Sequence, residues 1–106
     1  NRGMSETMES RMIADGYSKE PILWSFKPKF YKQSGFHYYS KRLDMPYNGH
    51  KDQIEVGAVL NLEFNSMEVY ACDCVIGCCG EPLGIHEFSI EKLNTLAREF
   101  LEEMAK

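Results

Sequence analysis

Ile54, Val56, Ala58, Leu60, Leu62 and Phe64 alternate with Glu55, Gly57, Val59, Asn61 and Glu63. This period of two predicts a strand with one buried face. Asn65-Ser66 interrupts the pattern where a two-residue turn fits, and a second apolar run, Met67 to Cys79, follows it. In that register Leu62 faces Val69, Leu60 faces Ala71 and Val56 faces Val75. It also sets Glu63 against Glu68, an unfavourable like-charge pair, and places Asp73 among apolar residues opposite Ala58. The hairpin is expected to form the spine of the domain.

The remaining segments arrange themselves around it. Ser5 to Asp15 predicts a short helix, with Ser5 as cap, Met8 and Met12 on one face and Gly16 closing it. Pro21 to Lys32 predicts a strand with Ile22, Trp24, Phe26 and Phe30 on one face; Pro28 cannot donate to a ladder and points to an edge or a bulge. Phe36 to Leu43 returns as its hairpin partner, with Lys27 opposite Arg42 or Ser40 according to turn length. Asp44 to Asp52 and Gly80 to Gly84 read as loops. Ile90, Leu93, Leu96, Ala97, Phe100, Leu101 and Met104 form an apolar stripe at helical spacing. Ser89 precedes that stripe as N-cap, and Phe88 is placed to staple onto Leu93.

These elements define a single α+β domain over residues 1–106: an antiparallel sheet of about four strands, as two hairpins, packed by a C-terminal helix and accompanied by a short N-terminal helix. A chain of 106 residues that is 43% hydrophobic can bury a core without staples. Asn1-Arg2-Gly3 read as a vector-derived remnant before Met4. No apolar run reaches the length of a membrane span, and no apolar secretory h-region follows the start. The four cysteines, Cys72, Cys74, Cys78 and Cys79, lie too close together to staple a domain, so reduced cytoplasmic thiols are expected.

Charge changes the picture. The net charge is −4, but residues 22–51 carry six basic side chains against Asp44, while residues 52–106 carry eleven acidic against three basic. Eight of the thirteen aromatic residues fall in the basic segment. Either hairpin register there puts Lys27, Lys29, Tyr31, Tyr38, Ser40 and Arg42 on one face. Such a face suits an acidic protein surface or stacked single-stranded bases, and an overall acidic chain favours the protein. Partner-binding is therefore assigned to Lys27, Lys29, Tyr31, Tyr38 and Arg42, or to the acidic C-terminal surface.

Two further groupings bear on chemistry. Cys72, Cys74 and Cys78 with His86 could hold zinc, and the same residues with Cys79 could act as a thiol switch, although their spacing differs from that of zinc ribbons and fingers; buried structural thiols are the simpler reading. Asp44, His50 and Asp52 share a loop and could pair a carboxylate with an imidazole. No catalytic or phosphate-binding motif is present. The expectation is a non-catalytic, cofactor-free binding or inhibitory protein, by class analogy with phage, mobile-element and toxin-immunity proteins of similar size.

Overall fold

A computed structural model of the protein describes residues 7–21, 37–45, 49–74 and 81–105. Helix α1 (Met8–Ala14) is followed by strands β1 (Ser18–Lys19), β2 (Tyr38–Leu43), β3 (Ile54–Asn61), β4 (Ser66–Asp73) and β5 (Glu81–Glu87), and by helix α2 (Ile90–Met104). The strands form one antiparallel sheet in the order β1-β2-β3-β4-β5, so order in space is order along the chain.

Both helices start where the chain supplies a side-chain acceptor. Thr7 and Ser10 close a reciprocal capping box on α1, at 3.0 and 2.9 Å. The cap is thus Thr7; the expected cap, Ser5, lies outside the described residues. Gly16, at φ +96°, takes the left-handed conformation that ends this segment. Ser89 caps α2 by accepting the Lys92 amide at 3.0 Å, as expected, and Phe88 and Leu93 are both buried in the core.

The central hairpin forms, but with a different turn. β3 ends at Asn61, which pairs with Ser66, and residues 62–65 make a four-residue turn in which Asn65 has φ +53°. Val56 accordingly faces Ala71 and Leu60 faces Met67. A shift by an even number of residues keeps every side chain on its expected face. It also removes both awkward features of the two-residue register. Glu63 enters the turn, and Asp73 moves to the strand end opposite Ile54, where its Oδ1 accepts from Gln53 Nε2 at 2.9 Å. Leu62 and Phe64, expected on the buried face, are exposed.

Two other expectations are corrected. Ser40 is flanked by Ser18 and Gly57, so β2 takes β1 as its neighbour; Lys27, the expected partner of Ser40 or Arg42, lies outside the described residues. The rest of the expected first strand, residues 22–32, lies outside the described residues, as do the turn after it and Phe36. The segment after Gly80 is a fifth strand rather than a loop. β5 was obscured by Pro82, Gly84 and its exposed polar side chains, which break any alternation. Val69 pairs with Gly84 and Tyr70 with Pro82, leaving Leu83 as the extra residue of a bulge that packs against the core.

The core lies between the helices and one face of the sheet. Ile54, Val56, Ala58 and Leu60 of β3 and Met67, Val69 and Ala71 of β4 meet Met12 of α1 and Leu93 and Ala97 of α2. Burying each large aliphatic side chain contributes about 1.5–3 kcal/mol. A polar chain ties the end of α1 to α2 and the sheet: Tyr17 donates to Asn94 Oδ1 at 3.1 Å, and Asn94 donates to Asp15 Oδ2 at 3.0 Å. Lys41 Nζ reaches the same Asp15 oxygen at 3.4 Å while lying 4.5 Å from the centre of the Tyr17 ring. No helix among the described residues is long and apolar enough to cross a membrane.

Candidate functional site

The face of the sheet opposite the helices carries most of the described chemistry. Alternation brings Tyr38, Ser40 and Arg42 of β2 beside Glu55, Gly57, Val59 and Asn61 of β3, then Glu68, Tyr70 and Cys72 of β4. Tyr38 is fully buried, and its hydroxyl donates to Glu55 Oε2 at 2.5 Å. Its ring lies directly over Gly57: a Cβ there would sit 2.6 Å from the Tyr38 hydroxyl oxygen. The other Glu55 oxygen lies 3.7 Å from Arg42 Nε and 4.0 Å from Cys74 Sγ. One strand over, the Tyr70 hydroxyl donates to Glu68 Oε2 at 2.6 Å, with both residues buried.

Hydrogen bonds from phenol to carboxylate are charge-assisted and stronger than neutral ones. Burial, followed by the charge and hydrogen bond of Glu55, pushes the Tyr38 hydroxyl well above its ordinary range. Burial and Glu68 do the same to Tyr70. Both phenols therefore stay protonated donors, which holds the two carboxylates in place.

A third pair of this kind lies on the helix side. Tyr39 donates to Glu9 Oε2 at 2.8 Å, and His37 Nδ1 lies 3.3 Å from the same oxygen. Burial alone would raise the Glu9 carboxyl, but the hydrogen bonds from Tyr39 and His37 and the charges of His37 and Lys19 outweigh it and hold it below its ordinary value. Burial and Glu9 push Tyr39 up to about 12.

Of the residues singled out from sequence, Tyr38, Arg42, Cys72, Cys74 and His86 are among those described. Tyr38, expected on an exposed basic-aromatic face, is interior; Arg42 is half exposed and also donates to the Asp52 carbonyl at 2.9 Å. Lys27, Lys29 and Tyr31 lie outside the described residues. Cys72 and Cys74 share the face opposite the helices, Cys72 buried and Cys74 partly so. His86 pairs with Met67 and so falls on the helix side, where its Nε2 lies 2.9 Å from the Leu83 carbonyl; it is not brought to Cys72 or Cys74. Cys78 lies outside the described residues, and among those described no group of three or more His, Cys, Asp or Glu could hold a metal ion. Asp44 accepts the Asp52 backbone amide at 2.9 Å and lies 3.9 Å from Lys51.

Two surface features stand out instead. Over residues 81–105, Glu81, Glu87, Glu91, Glu99, Glu102 and Glu103 are exposed, against Lys92 and Arg98. At one end of the sheet the β3–β4 turn exposes Leu62 by 42% and Phe64 by 69%. Sequence reasoning missed this turn because the apolar alternation continues two periods beyond the last paired residue. Asn61, which can cap a turn through its side chain, was the available signal. No family model, curated protein or solved structure matches the chain.

Proposed function

We propose that this is a small, non-catalytic cytoplasmic protein of the binding or inhibitory kind, which engages a protein partner through its acidic C-terminal surface. The observation that carries the reading is the one-sided exposed charge of β5 and α2, six glutamates against two basic side chains. Such a surface raises the encounter rate with a basic partner and repels nucleic acid phosphates. The basic-aromatic face is the weaker alternative, because Tyr38 is interior and Arg42 already meets Glu55 and Asp52.

The test is charge reversal on α2. Glu99→Lys with Glu102→Lys should slow association with the partner recovered from the native host by about tenfold or more at low salt, with little change in thermal stability. Association that is unchanged by this reversal and insensitive to salt would place the contact elsewhere.

A further inference from the structure

We propose that the β3–β4 turn is the apolar anchor of this interface: Leu62 and Phe64, with Glu63 between them and Glu87 at the foot of the turn, enter an apolar cleft rimmed by Lys or Arg on the partner protein. The inference rests on the acidic-surface reading above and assigns it a specific contact. Single exposed apolar residues are ordinary, but two large ones on a four-residue turn, with the aromatic 69% exposed, are not what a solvated turn requires.

The turn is also held rigidly. The Phe64 amide donates to Asn61 Oδ1 at 3.2 Å, Ser66 Oγ donates to the Phe64 carbonyl at 3.0 Å, and the Phe88 amide donates to the Asn65 carbonyl at 2.8 Å. Every one of these bonds uses the backbone of the turn or the side chains of Asn61 and Ser66. The Phe64 and Leu62 side chains contribute to none of them. A rigid turn presenting an aromatic ring has little conformational entropy left to lose on docking, which is the character of an interface hot spot.

Charge selects the partner. Glu63 lies between the two apolar residues, and Glu87 pairs with Ser66 at the foot of the turn. Glu91 lies three residues after Phe88, whose amide secures Asn65. Arg11 is near this end but stacks over the Phe88 ring, its guanidinium carbon 5.1 Å from the ring centre. A second copy meeting this turn head to head would bring Glu63 against Glu63, whereas a basic rim would complement it.

The experiment selects a random-peptide phage library on the purified wild-type protein and measures the enriched peptides, as synthetic peptides, by fluorescence anisotropy. Peptides combining Lys or Arg with apolar side chains should be enriched, and Phe64→Ala with Leu62→Ala should weaken them by at least about tenfold without lowering Tm. Peptides lost on Glu99→Lys with Glu102→Lys but untouched by Phe64→Ala overturn the anchor and leave the acidic-surface reading standing. Failure to enrich any peptide, or peptides insensitive to both sets of changes, overturns both. A wild-type dimer in sedimentation that Phe64→Ala dissolves overturns the assignment in favour of a second copy.

Discussion

The two faces of the sheet are both buried along β3 and β4, yet they are closed by different chemistry. The helix side presents Ile54, Val56, Ala58, Leu60, Met67, Val69 and Ala71, and its stability is that of close apolar packing. The other side presents Tyr38, Asn61, Glu68, Tyr70 and Cys72, with Glu55 partly buried among them. Its stability depends on each carboxylate keeping its donor, because a buried charge stripped of its hydrogen bond is costly. One face tolerates polar substitution least; the other tolerates the loss of a single oxygen least.

That contrast can be broken in several ways. The largest effect belongs to the helix side: Leu60→Ala should cost about 2–5 kcal/mol in urea unfolding, through lost burial and the cavity left behind. On the opposite face Tyr38→Phe removes one hydroxyl and should cost about 1–3 kcal/mol, by leaving Glu55 without that donor. If Tyr38→Phe cost less than about 0.5 kcal/mol, this face would behave as wetted surface and the contrast would fail. Ser89→Ala, which strips the N-cap of α2, should cost about 1 kcal/mol and loosen the cover of the helix side alone.

The smallest expected effect is on pH dependence. Glu9 is held below its ordinary value of 4.5, so its contribution is present above that pH and is lost as the pH falls through the lowered folded value. Tyr39 is raised from 10.0 to about 12, so its contribution is present below pH 10 and is lost as the pH rises toward 12. Glu9→Gln should therefore flatten the acid limb of a stability–pH curve measured by thermal melts. An acid limb unchanged by Glu9→Gln would mean that the Glu9–Tyr39–His37 cluster is not coupled to folding.

How much of this could be read beforehand follows from the range of the interactions. The α2 cap and stripe are local, and Ser89, Phe88 and Leu93 took their expected places. At α1, two hydroxyl residues precede the helix; only Thr7 has a hydroxyl three residues later, Ser10, to return the bond. Strand faces were legible from the period of two. Register was not, since Val56 against Val75 and Val56 against Ala71 put the same residues on the same faces. The burial of Tyr38 and the exposure of Phe64 were equally hidden, because alternation names a side of the sheet without saying whether that side is covered or where the ladder ends.

This ambiguity gives Gly57 a further meaning. A sheet built on alternation alone has degenerate alignments, each displaced by two residues and each equally apolar on the helix side. The Tyr38 ring occupies the space where residue 57 would carry a Cβ. Displacing β2 by one period in either direction would bring Glu55 or Val59 beneath that ring, and neither could yield the space. The absent methyl at position 57 thus works as a key cut for one lock position, discriminating among alignments that the hydrophobic pattern cannot tell apart.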